Sequence, residues 1–213
     1  MDNLDRTRRR FAVALAAMAG FVDAVGFLSA DGYFVSFMSG NTTRLGVALG
    51  TDPWRAAMPA LLLVGFVGGV TLGALVALKA GTMRKPAVLA LVFAGLLVAA
   101  LARVAGSQGA MLAGLVMAMG ALNNTFLRDG AVAVGLTYMT GALVKLGQGV
   151  ARQIAGHPGG GEWQLWARLW AGLLAGAVLG AFCQDRLPFE CLWIATVWAA
   201  IMAGIALRLP GEA

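Results

Sequence analysis

Charge is the scarcest thing in this sequence: Asp, Glu, Lys and Arg together make up 12% of 213 residues, and there is one histidine. An ordinary soluble domain carries about 25% charged residues to cover itself with a hydrated surface, so a freely soluble globule is excluded. Two cysteines, Cys183 and Cys191, flank one short turn and form neither a zinc pattern nor a disulfide framework. They are expected to be two reduced, buried hydrophobes rather than a local disulfide. No His-Glu-x-x-His run, phosphate-cradling Walker loop or nucleophile elbow is present. A lone His157 in a Gly/Pro-rich loop offers no obvious base for a Ser or Cys nucleophile, so no catalytic residue, no metal site and no cofactor is expected, and the chain is not read as an enzyme.

Hydrophobic residues fill the space that charge leaves, at 60% of the chain with a mean hydropathy of +0.80. A helix needs roughly 20 apolar residues to cross the hydrocarbon. The chain therefore reads as one integral membrane domain over 1–213, with the lipid bilayer as its first partner. The net charge of +6 does not point to nucleic acid, because membrane proteins gather Lys and Arg on cytoplasmic loops. Arg8-Arg9-Arg10 leads straight into an apolar run without a cleavage signal, which reads as a retained first span.

Eight apolar stretches can be marked: Phe11–Ala30, Gly32–Gly50, Ala56–Leu78, Pro86–Ala105, Gln108–Leu127, Gly130–Ile154, Gln164–Phe182 and Pro188–Leu207. The second and sixth are punctuated by hydroxyls, amides, cations and glycines that a lipid-facing helix would avoid. They also resemble each other. Ser36–Gly46 aligns with Thr137–Gly147 at an offset of 101, with four identities and four conservative pairs in eleven. The same offset sets Met18 on Met119 and Asp23 on Asn124. The ladder Gly65, Gly69, Gly73 returns as Gly172, Gly176, Gly180 after an insertion around His157–Gly161. The expected fold is an all-α polytopic bundle of two internal repeats, residues 11–105 and 108–208.

If the two polar stretches do not cross, each half has three spans and the halves are inverted. If they cross, each has four and the halves are parallel. With the N-terminus inside, six spans place Arg6, Arg8, Arg9, Arg10, Lys79, Arg84, Lys85, Arg128, Arg152, Arg168 and Arg208 on the cytoplasmic side. Only Arg55, Arg103 and Arg186 fall outside, with Arg44 and Lys145 in the polar stretches. Eight spans strand Lys79, Arg84 and Lys85 outside, so six spans plus two broken or re-entrant polar helices is the preferred reading.

Asp23 lies twelve residues past Phe11, about 18 Å at helical rise, near the bilayer midplane. A carboxylate there faces a cavity or a partner. It is read as a proton-titrating or cation-binding group, or else as a buried acid that hydrogen-bonds a neighbouring broken helix. Its repeat mate Asn124, with Asn123, offers polar groups that do not titrate. Ser39, Gly40, Asn41, Thr42 and Arg44 combine turn-permitting glycine, hydroxyls, an amide and a cation, as a half-helix N-terminus facing an anion would. Thr140, Gly141, Lys145 and Gln148 would complete a site between the halves. The alternative is close packing through small residues, with the two cations reaching an interface. The glycine ladders serve close helix packing, within the chain or in a homodimer. Trp54, Trp163, Trp166 and Trp170 sit near span ends as interfacial anchors.

Gly20-Phe21-Val22-Asp23-Ala24-Val25-Gly26-Phe27-Leu28, followed by Phe34 to Thr43 with its Met-Ser-Gly-Asn-Thr run, resembles the YoaK-like family of bacterial multi-pass membrane proteins, a domain of unknown function. The resemblance implies a bacterial inner-membrane protein and supplies no substrate, cofactor or reaction. From the residues themselves the expected function is a small secondary transporter or permease for a small polar or anionic solute, with proton coupling through Asp23. A channel-like pore, or a non-transporting scaffold or sensor, is the alternative.

Overall fold

The computed structural model describes residues 6–128, 131–132, 135–157 and 163–209. The start of the sixth apolar stretch at Gly130, and most of the insertion after His157, lie outside the described residues. Eight α-helices are described: α1 (Arg6–Ser29), α2 (Met38–Thr51), α3 (Ala57–Ala80), α4 (Arg84–Val104), α5 (Gln108–Leu122), α6 (Met139–Ile154), α7 (Trp163–Arg186) and α8 (Cys191–Ala206). One turn of 3-10 helix precedes α3 and another joins α3 to α4. A two-residue antiparallel pairing, Leu127–Arg128 with Ala131–Val132, follows α5.

Arg6–Ser29, the stretch Pro53–Val104 and Trp163–Arg186 are long and apolar enough to cross a membrane; α5 and α8 are shorter apolar helices. Length does not separate α2 and α6, with 14 and 16 residues, from α5 and α8, with 15 and 16; what sets the first two apart is their polar residues and the course of the chain around them. Leu61, Val64 and Leu78 on α3, Val178 and Phe182 on α7, and Val197 and Ile201 on α8 are exposed on the bundle's outer faces. A soluble monomer rarely shows so continuous an apolar surface, whereas lipid tails cover it without cost. The molecule is a membrane helix bundle.

Helix directions follow from which residues touch. Along α1 and α7, Val13 meets Gly172, Ala17 meets Gly176 and Phe21 meets Gly180, so the two run parallel. Along α3 and α5, Gly65 meets Val116, Gly69 meets Met117 and Gly73 meets Ala121, again parallel. But α1 and α5 are antiparallel: the Phe11 ring packs edge-on to Phe126 at 6.1 Å, while the Gln108 side chain donates to the Ser29 carbonyl at 2.8 Å. It follows that α3 runs opposite to α1, although α2 lies between them, and that α7 runs opposite to α5, although α6 lies between them. Each short polar helix returns the chain to the end it came from, α2 where α1 finishes and α6 where α5 finishes. Six apolar helices alternate in direction. The eight-span alternative would need α1 and α5 to run the same way.

The core lies along α1 and α5, where Leu15, Met18, Phe21, Leu115, Met119 and Leu122 are all buried. The glycine ladders make this density possible. A Cβ on Gly176 would fall on the Ala17 carbonyl, and one on Gly69 on the Met117 carbonyl. Reciprocally, Gly20 faces the Leu173 carbonyl and Gly120 the Phe66 carbonyl. Both ladders are thus filled from within the chain, the intramolecular form of the packing expected from sequence. Helix ends are locally encoded. Gly106 and Gly156 take φ of 72° and 71°, and the next amide bonds back to Ala102 and Arg152, the glycine stop that terminates a helix without strain.

Where α1 and α4 end and α8 begins, one cation ties five helices. Arg103 donates to Gln184 Oε1 at 2.8 Å, the Pro188 carbonyl at 2.5 Å, the Ser29 hydroxyl, Cys191 Sγ at 2.9 Å and, through Nε, Met111 Sδ at 3.2 Å. Cys183 and Cys191 are both free thiols, as expected, but only Cys191 is buried, Cys183 being half-exposed. Arg103→Met keeps the stem but leaves these acceptors without their donor. The expected loss is about 2–4 kcal/mol, since a hydrogen bond to a charged group contributes about 1.5–3 and the contacts are not additive. A melt in detergent beside Arg55→Met, whose guanidinium reaches only exposed Asp52, checks it; equal melting temperatures would remove the tie.

Candidate functional site

The chain leaves α1 through a tight reversal. Asp31 and Gly32 take positive φ of 50° and 81°, the Gly32 amide bonds back to the Phe27 carbonyl at 2.9 Å, and residues 33–36 run back alongside α1. Such a non-helical segment needs partners for its backbone where water is scarce. Two side chains supply them. Asp23 Oδ1 accepts the amides of Val35 at 2.9 Å and Ser36 at 2.8 Å. Asn41, fully buried in the first turn of α2, accepts the Phe34 amide at 3.1 Å and donates to the Phe34 carbonyl at 2.7 Å. Asp23 is therefore a half-buried acid that holds a re-entrant segment by hydrogen bonds.

Phe34 is the hinge of this cluster, with Phe27 and Phe37 packed on it at 4.9 and 5.1 Å between centroids. Gly40 has no side chain because a Cβ there would strike the Phe37 and Phe34 rings. Arg44 lies over Tyr33 at 5.0 Å and Phe34 at 5.9 Å, a cation–π arrangement that holds the guanidinium on the returning strand. The Thr42 hydroxyl donates to the Met38 carbonyl of its own helix, and Ser39 is exposed.

At the other end of the bundle, Asn123 Oδ1 accepts the Thr137 hydroxyl at 3.1 Å while its amide donates to the Met119 carbonyl. Asn123 thus accepts from the side chain of Thr137, where Asp23 accepts from the backbone of Ser36. The neighbouring Asn124 does something else, donating to the Val70 carbonyl of α3 at 3.0 Å beside Gly73. The sequence offset of 101 pairs Asp23 with Asn124. The packing pairs Gly20 with Gly120 and Ala17 with Met117, an offset of 100, and so pairs Asp23 with Asn123. The difference is one extra residue in the turn: 14 positions separate Asn123 from Thr137, against 13 from Asp23 to Ser36.

Thr140, Gly141, Lys145 and Gln148 are exposed on α6, with Lys145 Nζ 4.2 Å over the Trp166 ring of α7. Because α2 packs on α3 and α6 on α7, and the two short helices do not meet, the residues grouped from sequence fall into two clusters. Asp23, Asn41 and Arg44 gather at one end. Asn123 and, separately, Lys145 lie at the other. Among the described residues no three His, Cys, Asp or Glu side chains converge as metal ligands, and no buried side-chain polar atom lacks a hydrogen bond. Sequence reasoning missed the Val35 and Ser36 amides, the Ser36/Thr137 correspondence and the Arg103 tie. Ser36 and Thr137 were already paired in the aligned runs, so that one could have been found.

No solved structure matches the chain. The UPF0700 transmembrane protein RA0705 of Rhizobium meliloti (strain 1021) is 35% identical over 210 residues, which cover 95% of this chain and 90% of that relative. The model of a protein family of unknown function, DUF1275, matches residues 11–205. A match over nearly the whole bundle, with a transmembrane relative of similar length, places this chain in the DUF1275 family.

Proposed function

We propose that the protein is a small secondary transporter or permease for a small polar or anionic solute, set in the bacterial inner membrane with its N-terminus in the cytoplasm. The observation that carries this reading is the placement of two polar, re-entrant segments at opposite ends of one six-helix bundle, each hung from a central helix by one side chain, Asp23 on α1 and Asn123 on α5. Paired polar interruptions in corresponding places are the usual mark of an alternating-access site. Asp23 would carry the coupling proton, and Asn123, which does not titrate, would leave one half without charge. Orientation rests on the basic residues. Arg6, Arg8, Arg9, Arg10, Lys79, Arg84, Lys85, Lys145, Arg152, Arg168 and Arg208 belong to the end where α1 begins, against Arg44, Arg55, Arg103 and Arg186 at the other, and the more basic end stays in the cytoplasm.

One feature favours a non-transporting scaffold instead: Arg44 and Lys145 are each stacked on an aromatic ring at opposite ends, so neither cation faces a shared cavity. Single cysteines at Ser39 and Thr140, with Cys183 and Cys191 replaced, separate the readings. A membrane-impermeant thiol reagent is expected to label Ser39 from the periplasmic side and Thr140 from the cytoplasmic side, with labelling altered as the bundle changes state on a shift of pH. Labelling of both from one side defeats the inverted arrangement, and labelling that no pH or solute alters leaves the scaffold.

A further inference from the structure

The glycine ladder that closes α1 on α7 stops at Gly172, and what lies beyond it is open. From Val13/Gly172 upward the two helices touch backbone to backbone. Toward their N-terminal ends α7 carries Leu165 and Arg168 in place of glycine, and a cavity of about 940 Å³ opens beside the two helices. Its rim holds four guanidinium groups: Arg6, Arg9 and Arg10 from α1 and Arg168 from α7. Its apolar lining is Val13, Leu165 and Ala171, of which Leu165 is buried and Ala171 exposed.

We infer that this cavity binds the phosphate headgroup of an anionic phospholipid. Arginine presents a planar fork of donors that matches phosphate oxygens two at a time, and basic pockets between helices on the cytoplasmic side suit acidic lipid headgroups. The apolar wall decides between lipid and soluble phosphate. A free anion needs only the rim, whereas a phospholipid whose phosphate sits among the arginines lays its glycerol and upper acyl chains against Val13 and Leu165, facing the bilayer. The volume lies at the upper end of the range for ligand pockets, about 300–1,000 Å³. Trp163, Trp166 and Trp170 lie on the same turns of α7, where indoles mark the headgroup level.

The test uses the full chain, delipidated in mild detergent, with phosphatidylglycerol and phosphatidylcholine titrated in native mass spectrometry. Wild type is expected to retain phosphatidylglycerol in preference. Arg10→Gln/Arg168→Gln should weaken that binding by about 25-fold, roughly fivefold per arginine near the surface. Arg55→Gln/Arg186→Gln, the same loss of charge at the far end, should change it less than twofold. Arg10→Lys/Arg168→Lys keeps the charge and serves where the glutamine pair does not fold, its expected loss being confined to the forked contacts. Equal retention of the two lipids, or equal losses from both glutamine pairs, overturns the site. Displacement of the lipid by millimolar inorganic pyrophosphate overturns the lipid assignment in favour of a soluble phosphate.

Discussion

Gly176→Leu is expected to leave almost no monodisperse protein after extraction from the membrane. The Cβ alone would occupy the position of the Ala17 carbonyl, and the nearest atoms are backbone on both sides, with no flexible side chain to move. Relief requires α1 to back away from α7, which also separates Gly180 from Phe21 and Gly20 from Leu173. Ordinary overpacking costs about 1–3 kcal/mol. Parting two helices along their whole contact costs more, about 4 kcal/mol or above, a large share of the 5–15 kcal/mol that holds a typical domain folded. Gly69→Leu should do the same to α3 and α5, where Met117 takes the place of Ala17. A Cβ on Gly46 or Gly147 would meet no heavy atom within 4 Å, so Gly46→Leu and Gly147→Leu should behave as wild type. Size-exclusion profiles of the four fluorescent-tagged variants decide it; a folded Gly176→Leu would mean the α1–α7 contact is looser than drawn.

That contrast shows what the sequence could and could not reveal. The ladders were readable because a glycine every fourth residue has one physical use in an apolar helix, a face on which another backbone can lie. The six apolar helices were readable from composition, and the non-crossing of the polar stretches from the distribution of Lys and Arg. Partners were not readable. Asp23 read either as a titrating or cation-binding group or as an acid bonded to a broken helix, and the two backbone amides it holds could not be named, because a backbone amide has no signature in sequence. Arg103 looked like a stray charge in an external connection, because the five helices whose ends converge on it are brought there only by the fold. The meeting of α2 and α6 was expected from their likeness, but α2 packs on α3 and α6 on α7 at opposite ends of the bundle, and the two do not touch. The one-residue slip from Asn124 to Asn123 has the same origin: the alignment was scored on side chains in α2 and α6, while the register of α1 and α5 is set by where Gly20 and Gly120 touch.

Asp23 gives the second large effect, and two substitutions divide its structural role from its chemical one. Asp23→Ala deprives the Val35 and Ser36 amides of their common acceptor. Each unsatisfied buried donor costs about 1–3 kcal/mol, so a loss of about 2–5 kcal/mol is expected, concentrated in residues 30–37, with α2 freed at its first turn. Amide exchange at Val35 and Ser36 should accelerate by at least tenfold; unchanged exchange there would show that the clamp is not what holds the segment. Asp23→Asn keeps an Oδ1 in the same place and is expected to cost less than about 1 kcal/mol. On α5 an asparagine already serves as an acceptor, Asn123 Oδ1 taking the Thr137 hydroxyl, though from one side-chain donor rather than two backbone amides. The asparagine variant is therefore a folded protein without a titratable group in α1. In vesicles loaded with a pH-sensitive dye and offered small organic anions, wild type should move protons with the solute and Asp23→Asn should not, while passive binding of the solute survives. If uptake and proton movement are the same in both, Asp23 acts only as a clamp, and coupling has to be sought elsewhere in the bundle.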